Sequence, residues 1–250
     1  MRLGALLGPI LVPEKTTSLA EQARMLEASG FQSLWSAQAT GRGFMITDPF
    51  IALSVAASVT TRCELGTAVV QAPLYAAADL AHRALSLAQL SGNRLLLGIG
   101  AGSTEADFKA FERDFTQRFK RFNTMIPELR GYLHDGKSGD MTLSPWTAVR
   151  DRVPLLLGSW GTGVAKAVTQ FDGWIASGHY RKPPEIHAAL DRYRAAGGKR
   201  AIVSTLILND KTDLGELRDL LQGCAAAGFD DAVVMFQPGA PHPDRVRALI

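Results

Sequence analysis

The chain has 250 residues, 46% of them hydrophobic and 20% charged, a composition that can bury a sizeable core. Its formal charge of +3 is spread along the sequence, and the densest basic clusters (Arg118, Lys120 and Arg121; Arg181 and Lys182) lack interleaved base-stacking aromatics, which argues against a nucleic-acid partner. Cys63 and Cys224 form no CxxC pair, which argues against a zinc site and suits a reducing cytoplasm.

In chain order, "MRLGALLGPILVP" begins like a secretory leader, with Arg2 before an apolar run. Gly4, Gly8, Pro9 and Pro13 interrupt that run and no small-x-small cleavage site follows directly, so it reads as a first strand, Leu3–Leu7, and its loop. Ser18 caps a helix whose apolar face is Leu19, Ala23, Leu26 and Ala28, ending at Gly30. A strand at Ser33–Ser36 precedes Asp48–Pro49, an N-cap followed by proline at the first helical position. After a strand at Cys63–Val70, Asp79 starts a helix with Leu80, Ala84, Leu87 and Leu90 on one face, and "SGN" stops it. Further strands are expected at Arg94–Gly98, Val153–Leu157, Gly173–Ala176, Ala201–Leu208 and Ala232–Phe236. The helical patterns between them lie near Arg118–His134, Val164–Gln170, Pro184–Ala196 and Asp213–Ala227, with a short last one after Pro243. No apolar stretch is long enough to span a bilayer.

Eight short apolar strands alternating with helices predict one domain over residues 1–250, a closed (β/α)8 TIM barrel. The alternative is an open doubly wound sheet, which usually carries its glycine fingerprint after the first strand; here the glycines follow the fourth and fifth. In a barrel, ligands sit at the C-terminal ends of the strands, so the loops after each strand carry the candidates.

In "RLLLGIGAGS", Gly98, Gly100 and Gly102 remove side chains from the end of the fourth strand, which lets a backbone approach a phosphate or a planar ring. The dinucleotide fingerprint fails, because Ser103 stands at its third glycine position, and a loop that simply needs positive φ is the competing reading. After the fifth strand, "GSWGTG" (Gly158, Ser159, Gly161, Thr162) opens directly into a helix. Free N–H groups and two hydroxyls there suit a phosphate; a Ser/Thr helix cap without ligand explains the same letters. After the sixth strand, "FDGWIASGHY" brings Gly178 and His179 to the same rim, where His179 is the candidate for proton chemistry. His82 reads as structural, and His134 and His242 have no catalytic context. His187 and Asp191 stand four apart on a helix but make no convincing metal site, so no metal is expected. In "DFKAFERDFTQRFKRF" the phenylalanines are expected to pack a loop over the mouth, with the charges forming a solvated face.

Taken together, "LEASGFQSLW", "SVAASVTTRCELGTAVV", "LAQLSGNRLLLGIGAGS" and "QFDGWIASG" resemble the bacterial-luciferase-like flavin oxidoreductases, from Met1 to about Gly178 and more weakly through "AAAGFDDAVVMF". The resemblance implies a TIM barrel that binds reduced FMN or a deazaflavin coenzyme of the F420 type at its mouth. It implies a monooxygenase or oxidoreductase acting on a small-molecule substrate, cytoplasmic, a homo-oligomer such as a dimer, and served by a separate flavin reductase. Ser159 and Thr162 match the family's phosphate-binding hydroxyls. Ala68 and Val69 match the place where relatives carry a bulge or a non-prolyl cis peptide against the ring. Ala101 stands where luciferase has an arginine that helps hold the phosphate. In the loop after the second strand, where many relatives have His or Asp, this chain has Gln38, a substrate contact in the family reading and an ordinary polar loop residue otherwise. A short connection between the sixth and seventh strands implies an open mouth. Two other functions fit the letters: a non-catalytic flavin-binding barrel, and one binding a phosphorylated metabolite.

Overall fold

The computed structural model describes residues 1–8 and 18–250. Eight parallel strands form its centre: β1 (Arg2–Leu6), β2 (Ser33–Ser36), β3 (Glu64–Thr67, resuming at Val70–Gln71), β4 (Leu95–Gly100), β5 (Leu155–Gly158), β6 (Gly173–Ser177), β7 (Arg200–Leu208) and β8 (Asp231–Phe236). Each pairs with its sequence neighbours, and β1 pairs with β8, Gly4 opposite Val233, so the ring closes. The closed barrel excludes the open sheet. The helices are α1 (Leu19–Ala28), α2 (Pro49–Val59), α3 (Ala77–Ser91), α4 (Glu105–Ala110), α5 (Arg118–His134), α6 (Gly163–Gln170), α7 (Pro183–Ala195), α8 (Leu214–Ala227) and α9 (Pro243–Arg247). The expected loop after β1, with Pro9 and Pro13, lies outside the described residues.

Local chemistry explains the helix ends. Ser18 forms a reciprocal capping box with Glu21, Asp48 accepts from the N–H groups of Phe50 and Ile51, and Gly92 closes α3 in the left-handed conformation at φ 64°. Other boundaries shift for stated reasons. The fifth strand starts at Leu155 rather than Val153, since Pro154 has no N–H to donate. The third helix begins at Ala77, two residues before Asp79, with no side-chain cap. The third strand is broken rather than continuous: Gly66 pairs with Leu96 and Val70 with Ile99, so four residue steps of β3 span three of β4. That bulge contains a cis peptide between Ala68 and Val69. The segment from Phe108 to Phe122 is largely helical rather than a loop, and a small hairpin follows it, Lys137–Ser138 with Met141–Thr142.

Two cores result from strands buried on both faces. Outside the barrel, alternate strand residues such as Leu34, Leu65, Leu97 and Val234 pack against the helices. Inside, Leu6, Trp35, Leu96, Leu156, Ile175, Ile202 and Val233 fill the axis. The Trp35 indole donates to Ser33 Oγ at 2.8 Å and takes the space that a side chain at Gly66 would need. The barrel is therefore plugged below its mouth, as a packed TIM-barrel interior should be. At the N-terminal end, Arg200 binds Asp231 at 2.8 Å and Glu64 at 2.5 Å, while Arg2 binds both acids at 3.0 Å. Asp231 is fully buried there, with both its cations in place.

Candidate active site

The strands are parallel, so the loops after them gather at one end of the barrel. There, on the inner face, Gly98, Gly100 and Gly158 succeed Leu96 and Leu156. What occupies the vacated volume is first of all the chain itself. A Cβ on Gly158 would stand 2.6 Å from Val69 Cγ1, and one on Gly100 would stand 3.0 Å from Val69 Cγ2. At Gly98 it would run into the Thr67 carbonyl oxygen. These glycines admit the β3 bulge, and Val69, half-buried against the inner cluster, forms the floor of the mouth beside Ala68. Ala101 packs toward the helix-side core. Gly102 has φ 83° and lies against Gln71 Oε1 and Phe108.

The loop between β5 and α6 is differently occupied. Thr162 is the N-cap of α6, yet its hydroxyl makes no capping bond. Ser159 Oγ is buried and has no hydrogen-bond partner, although the Ser159 carbonyl accepts from Trp174 Nε1 at 3.1 Å. A buried hydroxyl without a partner costs about 1–3 kcal/mol, so a helix start left in this state is ready for an acceptor from outside. Capping does not account for either hydroxyl. Gly161 is exposed at φ 60°, with nothing near a substituted Cβ.

Gln38 has a structural task. Its Oε1 accepts from the Gln71 N–H at 2.8 Å and its Nε2 donates to Tyr75 Oη at 2.8 Å, which fastens the β2 loop to the end of β3. Both ends of its amide are committed to the chain. Burial, with Asp48 nearby, pushes the Tyr75 hydroxyl up to about 12, so it stays protonated. His179 is exposed on the rim, in edge contact with Tyr180 (ring centroids 4.7 Å apart). Beside it, a Cβ on Gly178 would stand 2.5 Å from Leu206 Cδ2 and 3.2 Å from the Ser204 carbonyl oxygen. Leu206 faces that way because β7 carries a bulge at Ser204–Thr205, with Thr205 at φ 62°.

The buried polar hub that sequence reasoning missed is Asp107. It belongs to the run expected to be a solvated face, yet its side chain is fully buried. Its Oδ1 accepts from the N–H groups of Thr40 (3.2 Å) and Gly41 (3.1 Å); its Oδ2 accepts from Gln71 Nε2 (2.7 Å) and Arg42 Nη2 (2.6 Å). Burial alone would raise its pKa, but Arg42, Gln71 and the two amides outweigh burial and hold it below the usual carboxylate range. The same pairing, against the effect of burial, raises Arg42. A local signal existed: Thr104 followed three residues later by Asp107 is the letter pattern of a capping box. Thr104 makes no such bond, because the carboxylate turns to a partner 65 residues away.

The other histidines stay outside this region. His82 is exposed on α3, and His187 lies on α7 with Nε2 unpartnered, its ring 6.5 Å from Phe229. Among the described residues no three His, Cys, Asp or Glu side chains converge as metal ligands. Cys63 and Cys224 are both buried free thiols. Burial pushes them up to about 12 and about 11, Cys63 with help from Glu27, so both remain protonated. A cavity of about 820 Å³ opens at the opposite end, around Arg2, Arg194 and Arg200. We assign it to the stability end, since its arginines are already paired with Glu64, Asp230 and Asp231. A smaller one, about 390 Å³, lies at the mouth end between the last residues of β7 and α8 and reaches Gly178 and His179. No helix among the described residues is long and apolar enough to cross a membrane.

Comparison with known proteins supplies a family. Residues 4–208 match the model of the luciferase-like monooxygenases. An uncharacterized protein of Mycobacterium tuberculosis is 30% identical over 172 residues, 63% of this chain and 59% of that protein. The chain thus spans less than two thirds of the length of that curated relative. Among solved structures, an F420-dependent secondary alcohol dehydrogenase in complex with an F420-acetone adduct superposes with a TM-score of 0.77 at 14% identity, covering 100% of this chain and 98% of that one. The oxygenating constituent of 3,6-diketocamphane monooxygenase from Pseudomonas putida, in complex with FMN, gives 0.67 at 16% identity over 92% and 80%. At these identities the superpositions speak for the fold.

Proposed function

The chain belongs to the luciferase-like monooxygenase family, and from that premise we propose that it is an oxidoreductase holding a flavin-type coenzyme, FMN or a deazaflavin, at the C-terminal mouth and acting on a small organic substrate. The observation that carries this reading is the buried, unpartnered Ser159 Oγ beside the uncapped start of α6. Both coenzymes offer a phosphate, the acceptor that two idle hydroxyls and free helix N–H groups fit. Two structural neighbours, one titled as F420-dependent and one as holding FMN, support a coenzyme of this type.

When bound, the coenzyme supplies the electron chemistry, with O2 for reduced FMN or by hydride for a reduced deazaflavin. The chain's own residues bind, orient and exclude water. Ser159 and Thr162 would donate to the phosphate, while the backbones of Gly100, Ala101, Gly102, Gly158, Gly161 and Gly178 would surround the coenzyme at the mouth. Ala68 and Val69 form its floor, and the Trp35 layer beneath keeps water from entering along the barrel axis. With Ala101 in the arginine's place, hydroxyls and helix N–H groups would have to hold the phosphate. His179, exposed at the rim, is the side chain we assign to contact the substrate. In the FMN case a separate flavin reductase supplies the reduced coenzyme.

The test is a pair of titrations on wild type and Thr162→Ala: FMN against riboflavin, and the deazaflavin against its dephosphorylated form. Losing a charge-assisted hydrogen bond weakens binding of the phosphorylated ligand by roughly ten- to a hundredfold. Riboflavin affinity should hardly change, and α6 should stay intact because Thr162 makes no capping bond. Equal losses for both members of a pair, or none for either, would remove "GSWGTG" from the site.

A further inference from the structure

Along β7 the side chains change sides. Ile202 belongs to the inner cluster and Val203 to the outer core, so unbroken alternation would send Ser204, Leu206 and Leu208 toward the axis. The ladder to β8 shows otherwise. Val203 pairs with Ala232 and Leu206 with Val234, so three residue steps of β7 span two of β8. The extra residue lies in the Ser204–Thr205 bulge, where Thr205 has φ 62°. One inserted residue exchanges the two faces of everything beyond it. Leu206 and Leu208 accordingly join the outer core, while Ile207 pairs with Met235, which packs on the inner cluster. A β-branched residue rarely adopts the left-handed conformation of Thr205, and strain of this kind gathers at functional sites.

The surface this creates is apolar and uncharged. The only charged residues in the eight strands are Arg2, Glu64, Arg200 and Asp231, and they pair with one another at the N-terminal end. At the mouth end, Ile207 and Met235 are half-buried, whereas Ile202 and Val233 beneath them on the same face are fully buried. In the closed ring, β7 and β8 stand across from β3 and β4. Ile207 and Met235 therefore face Val69 and the Gly98–Gly100 stretch over the opening.

We infer that Ile207 and Met235 form the substrate-facing wall of the mouth and select an uncharged, apolar organic molecule. The assignment to substrate rests on the coenzyme reading, since a planar ring against the β3 bulge leaves the β7–β8 side to the second reactant. Neither side chain takes part in chemistry; both determine specificity. A charged group on this wall would give up its water with no counter-charge from the strands to replace it. Apolar surface on the ligand leaves water together with that of the wall, which favours binding.

Carbon-13-labelled methionine methyl groups report on this wall by NMR in the whole protein. The Met235 signal is assigned as the one missing from Met235→Leu, and Met141, exposed on the hairpin, is the remote control. Two probes of like shape are titrated at neutral pH, nitrobenzene and the benzoate anion. Nitrobenzene should move the Met235 signal along a saturating curve, leave Met141 in place, and bind at least about tenfold more tightly than benzoate. Ile207→Ala should weaken nitrobenzene by about three- to tenfold, and Ile207→Val, which alters least, should fall between it and wild type. A Met235 signal that stays still, equal affinity for the two probes, or unchanged nitrobenzene affinity in both Ile207 variants overturns the wall. Repeating the titration with saturating FMN, or with the deazaflavin where FMN does not bind, separates the two readings. Nitrobenzene binding that survives the coenzyme supports a substrate wall. Competitive displacement puts the wall inside the coenzyme site and overturns the assignment to substrate, with the coenzyme reading still standing. If neither coenzyme binds, that reading and the substrate assignment fall together.

Discussion

Asp107→Asn is the most informative single change for the loops around the mouth. The substitution keeps shape and removes charge. Asn Oδ1 can still accept from the Thr40 and Gly41 N–H groups, but an Nδ2 in place of Oδ2 faces two donors, Arg42 Nη2 and Gln71 Nε2. Gln71 can adapt, because its Oε1 has no partner and a flip of the amide brings it to the new Nδ2. Arg42 cannot adapt, having only donors. The net loss is one charge-assisted pair to a fully buried carboxylate, with Arg42 itself 25% exposed and so partly rehydrated. Hydrogen bonds to charged groups and broken buried pairs place the cost at about 2–3 kcal/mol. Urea denaturation at pH 7 measures it as a lower midpoint at unchanged slope. The sign with pH follows from the depressed pKa of Asp107. Its contribution is fully present above the unfolded value of about 3.9, and it is lost as pH falls through the folded value below that. The stability gap between wild type and variant should therefore be flat from about pH 5 to 8 and close below about pH 4. A gap under about 0.5 kcal/mol at pH 7, or one that widens on acidification, would refute the account of Asp107 as an ionised hub.

Asp231→Asn, at the opposite end, breaks contacts to both Arg2 and Arg200 and should cost about 3 kcal/mol in urea denaturation, while FMN affinity stays at its wild-type value. An affinity change would mean that the two ends are coupled. Gly98→Ala should give little soluble protein, because its methyl meets the Thr67 carbonyl oxygen and backbone cannot step aside. Gly161→Ala, at φ 60° with open space around it, should express normally and lose about 1 kcal/mol. Similar yields for the two would show that the β3–β4 spacing is looser than drawn.

The strands and most helices were legible because each is written locally. Ser18 with Glu21, Asp48–Pro49 and the Gly92 stop are signals within a few residues, and the alternation of short apolar runs with helical patterns fixes the barrel. The irregular backbone at Ala68–Val69 could be placed only through the family resemblance, since "GTAVV" has the letters of an ordinary strand. The broken ladder there depends on Gly98, Gly100 and Gly158, which belong to the next two strands. The role of Asp107 was hidden for a related reason: the Thr104–Asp107 letters suggest a helix cap that does not form. In a charge-rich stretch its letter looks like any surface acid, and only the fold brings Arg42, Gln71 and the Thr40 and Gly41 amides to one carboxylate. The letter of Gln38 at a rim position fits a substrate contact or an ordinary polar loop residue equally, and only the fold shows that both its amide ends bond back into the chain.

The two ends of the barrel differ in how fully their polar groups are paired. At the N-terminal end, the Arg2, Glu64, Arg200 and Asp231 side chains neutralise one another, with the fully buried acid in contact with both cations. At the mouth, Ser159 Oγ and Gln71 Oε1 are buried without partners, and the Thr162 hydroxyl leaves its helix uncapped. A buried group without a partner destabilises the folded chain by about 1–3 kcal/mol, so such groups persist where a ligand or a movement meets them. Of these, only the pair on the β5 loop stands at a helix start, where an anion is favoured; Gln71 Oε1 lies inside the Asp107 network and faces Gly102. On the function proposed above, the anionic part of a ligand would sit against α6, while the β2–α4 corner with Asp107 ties the loops after β2 and β3 together.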